Sequence, residues 1–194
     1  VAREIYVRCD PFANDFVVEQ LERRGIQVHF APFNEWLEYS DISSWEKGEK
    51  SGIGAHLSSF LQKRILERTY AAMGGSLAWP ARGTVDESVE ASSPWIRSDL
   101  CGEAVLTVGG PLHEFRRGEV VGVVSVGPLE CMPNKIAEAQ FFHVAEKDGL
   151  ASLTLNLNGD PIDPAVLDCF AFEVHERFRK AKRAGREDER ALEG

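Results

Sequence analysis

Long apolar runs are absent from this sequence. No stretch of about 18 apolar residues occurs in the chain, and a transmembrane helix needs roughly that length. The opening residues, Val-Ala-Arg-Glu-Ile-Tyr-Val, lack the extended apolar segment of a secretion signal. They also lack an initiating Met, so we expect a processed product or a portion of a longer protein. Together these absences predict a cytoplasmic protein that does not contact membranes.

Positive charge and closely spaced cysteines are also scarce. Lys and Arg number 22 against 31 Asp and Glu, which gives a net charge of −9. A balance of that sign disfavours broad contact with nucleic acids or anionic lipids. The four cysteines, Cys9, Cys101, Cys131 and Cys169, are far apart and match no zinc-finger spacing. Without a secretion signal, reduced cytoplasmic thiols are the better interpretation than disulfides.

The composition is that of a folded globular domain. Apolar residues make up 43% of the chain and charged residues 27%, which excludes disorder for the bulk of it. Strand, helix and strand are predicted at residues 4–8, 12–24 and 26–30, from β-rich composition, helical spacing and alternation of apolar residues respectively. Gly25 stands where that helix should end. This order predicts a βαβ unit with parallel strands.

A second βαβ unit is predicted nearer the carboxyl end. Residues 120–126 form a nearly continuous apolar run, which is typical of a strand buried on both faces. A helix at residues 134–147 and a strand at residues 150–155 follow it. The two units together predict an α/β fold, with a small Rossmann-like parallel sheet of about four strands flanked by helices.

The remaining segments complete one domain. We predict a single Rossmann-like domain at residues 1–178, with a helical insertion at about residues 40–118 between the βαβ units. A charged tail that frays is expected at residues 179–194. Pro111 costs about 3 kcal/mol in a helix interior, so a kink or break is expected there. The other predicted elements are a short helix at 32–39, a loop at 40–54, and helices at 55–73, 85–92, 100–115 and 165–184.

Cys131 is the residue with the clearest chemical potential. Reactive groups collect beyond the carboxyl ends of parallel strands, and Cys131 follows the 120–126 strand in a turn bounded by Pro128 and Pro133. It also precedes a predicted helix, whose free amide groups and dipole favour the thiolate that attacks electrophiles or binds iron or zinc. A small apolar cysteine in a strand-to-helix turn explains the same position equally well.

The segment around Cys131 resembles a known family. Residues 127–139, Gly-Pro-Leu-Glu-Cys-Met-Pro-Asn-Lys-Ile-Ala-Glu-Ala, follow Gly-Val-Val-Ser-Val. They resemble the cysteine-bearing segment of the 2-hydroxyacyl-CoA dehydratase and acyl-CoA dehydratase activase group. More narrowly, the chain is similar to the far C-terminal part of the large CoA-substrate-specific enzyme activases. The similarity extends over most of the chain and includes the segments that begin at Asp10, Gly25, Gly102 and Leu155.

The resemblance implies a role in electron transfer for CoA-ester dehydration or reduction. Dehydratases of this group carry a [4Fe–4S] cluster on cysteines of Rossmann-like domains, and a separate activase domain hydrolyses ATP and supplies an electron. By this resemblance Cys131 is a metal ligand. Its neighbours Gly127, Pro128, Pro133 and Asn134 are then expected to bind the cofactor, with backbone amides tuning its potential.

The same resemblance implies that the site is incomplete within this chain. The expected partners are the remaining domains or subunits of the activase or dehydratase, with acyl-CoA as a candidate ligand. The phosphate-binding loops and bridging-cluster cysteines of the activase have no counterpart here, so ATP hydrolysis by that mechanism is not expected. A cubane cluster takes about four thiolates. Cys9 is a second candidate ligand, although a core or turn cysteine is the simpler interpretation, and Cys101 and Cys169 are interpreted as packing residues.

Two other classes of function stay open. The chain is also consistent with a docking module that keeps the fold without the cluster. Its partners would then join through loop-rich segments that carry the four tryptophans, Trp36, Trp45, Trp79 and Trp95. The other class is a metal-free redox thiol or nucleophile at Cys131, which predicts fast and selective alkylation.

Other polar groups have simpler structural interpretations. The five histidines show no metal-binding spacing. Residues 158–160, Asn-Gly-Asp, are residue types that favour a turn. The alternative is that they bind a polar ligand at the sheet edge. Lys135 at a helix start has the position of a phosphate contact, with a solvated lysine as the default. Lys63, Arg64 and Arg68 form a basic stripe on a predicted helix. The stripe could contact CoA phosphates or a partner, but a solvated helix surface is the simpler interpretation.

Overall fold

The computed structural model describes residues 2–3, 5–32, 35–46, 48, 52–77, 84–97, 100 and 102–192. Within these ranges the chain forms eight helices and a small parallel sheet. No described helix is both long enough and apolar enough to cross a membrane. In chain order the elements are β1 (Ala2–Arg3), α1 (Ile5–Cys9), α2 (Val17–Glu22), α3 (Glu35–Glu46), α4 (Ile53–Leu77), α5 (Val85–Ser92), α6 (Ala104–Arg116), β2 (Gly122–Pro128), α7 (Met132–Lys147), β3 (Ala151–Leu157) and α8 (Pro164–Leu192).

The sheet is centred on β2. This strand pairs in parallel with β3 along its whole length. On its other side it pairs in parallel with the two-residue β1, where Arg3 lies opposite Val126. The segment β2–α7–β3 is therefore a parallel βαβ unit. It confirms the predicted second unit, with both strands beginning and ending slightly later than the apolar pattern indicated.

The first predicted βαβ unit is wrong. Residues 5–9 form helix α1 instead of a strand, and residues 26–30 form no regular element. Only Val17–Glu22 of the predicted 12–24 helix is helical. Two of the predicted strands are thus missing, and the described residues do not form a four-stranded Rossmann-like sheet.

Side-chain contacts accompany both differences. The Asn14 side chain donates hydrogen bonds to the carbonyl oxygens of Val7 at 2.9 Å and Arg8 at 3.2 Å, so these groups have a side-chain partner instead of a neighbouring strand. Ile26 and Val28 pack against the core beneath α8 without joining the sheet. The alternating pattern at residues 26–30 therefore located buried side chains but not strand pairing.

Helices cover both faces of the sheet. Along β2, Val123 joins a core formed with α5, α6 and α7, which we call the α6 face. Val124 and Val126 join a second core formed with α2 and α8, which we call the α8 face. Consecutive residues of a strand point to opposite faces, so β2 is buried on both. The structure thus confirms an α/β fold with helices on both sides of a small parallel sheet.

The segment between the predicted βαβ units is helical, as expected, but its details differ. Helix α3 is longer than the predicted 32–39 helix and occupies part of the predicted 40–54 loop. Helix α6 continues through Pro111 without the expected break. Residues Ala104–Leu112 are all buried, and a Cβ atom at Gly109 would overlap the Ser88 carbonyl oxygen of α5. Close packing of α5 on α6 therefore offsets the local cost of proline.

The last helix also extends further than expected. Its backbone remains helical to Leu192, through most of the tail that was predicted to fray. Its amino-terminal half packs on the sheet through Leu167, Phe170 and Val174, which belong to the α8 face. Arg177 donates a hydrogen bond to the carbonyl oxygen of Gly149 and so ties the middle of α8 to the turn before β3.

Candidate functional site

The candidate site lies at the carboxyl edge of β2 and β3. The two strands end side by side, with Pro128 opposite Leu157. The amide of Leu129 then donates a hydrogen bond of 2.9 Å to the carbonyl oxygen of Leu157, which joins the two segments that leave the sheet. Ligands of parallel α/β sheets bind at this edge, and Cys131 follows two residues after Leu129.

A tight turn places Cys131 at the start of α7. Glu130 adopts a left-handed backbone conformation with φ of 66°, and the Cys131 amide donates a 3.2 Å hydrogen bond to the carbonyl oxygen of Pro128. The Cys131 carbonyl accepts the first helical hydrogen bond, from the Lys135 amide at 3.0 Å. Cys131 is thus the residue that caps a helix of 16 residues, and its side chain makes no capping hydrogen bond. The predicted position at a helix amino terminus is confirmed, and the residue is partly exposed.

A buried polar chain holds this helix start against the sheet. The Ser125 hydroxyl of β2 donates a 2.8 Å hydrogen bond to Asn134 Oδ1, and Asn134 Nδ2 donates to Asn156 Oδ1 of β3 at 3.2 Å. Asn156 Nδ2 lies 3.5 Å from Glu138 Oε2, which also accepts a 3.0 Å hydrogen bond from Lys135 Nζ. These hydrogen-bonded side chains run from the centre of the sheet to the surface of α7 and fix the position of Cys131.

The four predicted neighbours of Cys131 have different surroundings. Asn134 is fully buried and directs its side chain to Ser125 and Asn156, so the side chain positions the helix. Gly127 lies beneath it, since a Cβ there would come within 3.0 Å of the Asn134 carboxamide. Pro128 is exposed at the end of β2, and Pro133 is the second residue of α7. Cofactor binding by these residues stays a prediction.

Three residues of the polar chain are not predicted by the sequence pattern. Ser125 and Asn156 bond Asn134 from 9 and 22 residues away, and Glu138 bonds Asn156 from 18 residues away. The available signal was a serine inside the apolar 120–126 run, because a buried hydroxyl requires a hydrogen-bond partner. Nothing in the local pattern identified Asn134 as that partner.

The other cysteines lie in separate places. Cys9 is exposed at the end of α1, and β1 runs parallel to β2, so α1 begins at the same sheet edge that carries Cys131. Cys169 is exposed on α8, which contradicts the expectation of a packing residue. Cys101 lies outside the described residues. None of the three described cysteines forms a disulfide.

The described residues do not fit a [4Fe–4S] cluster by themselves. Across the ranges given above, no three His, Cys, Asp or Glu side chains are grouped so that they could hold a metal ion. A cubane cluster takes about four thiolates. Among the described cysteines, Cys131 lies at this edge of the sheet and Cys9 lies on a helix that begins there. The chain therefore offers at most part of a cluster site within its described part.

The polar side chains near Cys131, at residues 158–160 and at Lys135, bond groups within their own segments. Asn158 Nδ2 donates a 2.6 Å hydrogen bond to Asp160 Oδ2, and the Asp160 amide donates to Asn158 Oδ1 at 3.0 Å. Gly159 between them has φ of 95°. This geometry confirms a turn at residues 158–160. Lys135, considered as a phosphate contact, forms an ion pair with Glu138 instead.

Two titratable groups lie beyond the candidate site. Burial lowers the pKa of His29 below its ordinary value. Burial raises the pKa of Glu114, and the nearby Glu119 carboxylate acts in the same direction. His175 Nε2 lies 2.8 Å from the Arg24 carbonyl oxygen. No histidine belongs to a metal-binding group among the residues that the structure describes.

The tryptophan segments and the basic stripe were candidates for contact with partners. Trp36 and Trp95 are partly buried and pack against the α6 face. Trp79 and the Trp45 side chain lie outside the described part of the chain. Along α4 the basic side chains are exposed beside exposed Leu57 and Phe60.

Comparison with known proteins identifies no relative of this chain. No family model, curated protein or solved structure matches the chain.

Proposed function

We propose that the chain is the cysteine-bearing C-terminal portion of a protein related to the 2-hydroxyacyl-CoA dehydratase activases. In this proposal it takes part in electron transfer for the dehydration or reduction of CoA esters in the cytoplasm. The observation that carries the proposal is the position of Cys131. It is partly exposed, it caps a 16-residue helix, and it lies beyond the carboxyl ends of two parallel strands.

The proposal includes a Rossmann-like character for the domain. The parallel β2–α7–β3 unit, with helices on both faces of the sheet, supports it. The polar chain through Asn134 supports a site that needs a fixed helix start, because it anchors the first turn of α7 to both strands. A reactive group is most useful when neighbouring residues hold it in one geometry.

Cys131 is proposed as a single ligand of a shared iron–sulfur site. The described residues do not complete a cluster, so the other ligands would come from remaining domains or subunits of the dehydratase system. Helix-terminal amides around Cys131 would stabilise the negative charge of a thiolate ligand. Acyl-CoA is the candidate substrate class, on resemblance to the family.

The test is iron and acid-labile sulfide content after anaerobic purification of the chain together with the dehydratase domains or subunits that would supply the other ligands. The variants are Cys131→Ser and, as a matched control, Cys169→Ser, which removes an exposed cysteine on the opposite face of the sheet. We expect the parent chain and the control to retain iron that Cys131→Ser loses. Equal iron in all three proteins, or none in any of them, would contradict the proposed role of Cys131.

A second candidate is metal-free thiol chemistry at Cys131. Partial exposure at the amino terminus of a long helix favours it. In a Cys9→Ser/Cys101→Ser/Cys169→Ser background, this function predicts alkylation of Cys131 at pH 7 faster than that of a cysteine in an unfolded peptide. A rate no faster than the peptide's would remove this candidate.

A further inference from the structure

Arg8 is buried without a counter-charge from any described residue. The residue is only 6% exposed, and its Nε atom is enclosed without a hydrogen-bond partner. Within the described part of the chain its guanidinium forms neither an ion pair nor a hydrogen bond. An arginine stays protonated in proteins, and a buried charge without compensation is strongly unfavourable. Among the residues that the structure describes, no carboxylate therefore compensates this cation.

The first two carboxylates that follow Arg8 in the sequence bond other groups. Asp10 Oδ1 accepts a 3.0 Å hydrogen bond from the Phe12 amide. Asp15 Oδ2 accepts hydrogen bonds from the Ile162 amide at 2.8 Å and from Gln20 Nε2 at 3.2 Å. Neither carboxylate pairs with Arg8, although both lie in the turn that follows α1.

The surroundings of Arg8 place it where a ligand can bind. Helix α1 follows β1, which pairs in parallel with β2 and has Arg3 opposite Val126 near the end of that strand. Arg8 therefore lies at the carboxyl edge of the sheet, the edge at which parallel α/β folds bind ligands. The Asn14 side chain, itself 2% exposed, donates a 3.2 Å hydrogen bond to the Arg8 carbonyl oxygen and holds its backbone.

The guanidinium nitrogens of Arg8 are not all enclosed. Nε is fully enclosed, whereas the two Nη nitrogens, which also lack hydrogen-bond partners, are not. Two adjacent Nη donors form a planar fork that matches two oxygens of a phosphate. We propose that Arg8 binds a phosphate-type oxyanion of a small-molecule ligand at the carboxyl edge of the sheet. This site does not depend on Cys131 or on the proposed function.

The test measures thermal stability of the full chain in inorganic phosphate, against sodium chloride at equal ionic strength. The variant is Arg8→Met, and Arg117→Met is the control because Arg117 is exposed and paired with Glu119 at 2.8 Å. At roughly ten times the dissociation constant, phosphate should raise the melting midpoint of the parent and control by about 3–5 °C. Arg8→Met should lose this shift and, without phosphate, melt no lower than the parent.

Several outcomes would overturn the proposal. They are a full phosphate shift in Arg8→Met, no shift in the parent chain, or a lower midpoint of Arg8→Met in phosphate-free buffer. An equal shift with acetate would assign the site to carboxylates instead of phosphates. A second measurement needs no variant: in the 15N NMR spectrum of the parent chain, phosphate should move the Arg8 Nε–H signal selectively. An unmoved signal would also count against the site.

Discussion

Ser125 and Asn134 form a buried hydrogen bond that joins the central strand to the helix beginning beside Cys131. The hydroxyl of Ser125 donates to Asn134 Oδ1 at 2.8 Å, and both residues are fully buried. This bond fixes the position of helix α7 relative to strand β2 at the carboxyl edge of the sheet. The orientation of Cys131 relative to the sheet depends on this contact and on the bond from Asn134 to Asn156.

Replacing Asn134 should destabilise the fold measurably. Asn134→Ala leaves the Ser125 hydroxyl and the Asn156 amide oxygen without their partner, and an unsatisfied buried polar group costs about 1–3 kcal/mol. We expect the free energy of unfolding, measured by urea denaturation, to fall by that amount. Glu146→Ala, at an exposed position of the same helix, should change it by no more than about 0.5 kcal/mol.

The Ser125–Asn134 contact can be isolated with a double-mutant cycle. If the two side chains interact directly, the cost of Ser125→Ala/Asn134→Ala should be smaller than the sum of the single costs by at least about 0.5 kcal/mol. Strict additivity would show that the hydrogen bond contributes no coupling.

Two adjacent glycines of α6 should respond differently to replacement by alanine. A Cβ at Gly109 would overlap the Ser88 carbonyl oxygen, whereas the nearest atom to a Cβ at Gly110 is a Glu35 carboxylate oxygen at 3.7 Å. Gly109→Ala should lower the unfolding free energy by about 1–3 kcal/mol through overpacking. Gly110→Ala should be neutral or raise it by up to about 1 kcal/mol, because alanine favours the helix. Equal effects would contradict the close packing of α5 on α6.

The amino terminus of α5 should make stability depend on acidic pH. Thr84 and Glu87 form a capping box, and the hydrogen bonds from the Thr84 amide and hydroxyl hold the pKa of Glu87 below its ordinary value. A lowered folded-state pKa stabilises the fold above about pH 4.5, and this contribution is lost as the pH falls below that value. Thr84→Ala should cost about 1 kcal/mol at neutral pH.

The pH dependence provides the check on this capping box. The stability difference between the parent chain and Glu87→Gln should shrink as the pH is lowered from 6 towards about 3. Glu90→Gln, at an exposed position of the same helix, serves as the control and should show no such trend. A difference that stays constant with pH would contradict the assignment.

His29 should produce a second pH dependence nearer neutrality. Burial lowers the pKa of His29 from 6.5, so the unfolded chain binds this proton more readily than the folded chain. Stability should therefore fall as the pH drops below about 6.5, and should be unaffected by this group above it. Thermal denaturation from pH 8 to 5 should show a shallower decline for His29→Gln than for the parent chain. His143→Gln, at an exposed position, should leave the decline unchanged, and an identical decline for His29→Gln would refute the prediction.

The candidate site was partly predictable because its local signals are strong. The apolar 120–126 run, the two prolines around Cys131 and the helical pattern after it all act over a few residues. They correctly placed Cys131 between a buried strand and a helix start. The polar chain beneath it was not predictable, since its members come from β2, α7 and β3 and meet only when the unit is folded.

The sequence by itself determined the β2–α7–β3 unit, the helical character of the middle segment and the position of Cys131. These features follow from hydrophobic periodicity and turn residues, which act between neighbours in the chain. Only the tertiary structure decided that residues 5–9 form a helix and that residues 26–30 remain outside the sheet. The same holds for the burial of Arg8, whose guanidinium has no partner among the described residues. Strand pairing depends on groups that local periodicity does not show. At residues 5–9 the hydrogen bonds from the Asn14 side chain to the Val7 and Arg8 carbonyl oxygens accompany a helix, despite the local preference of Ile5 and Val7 for strands.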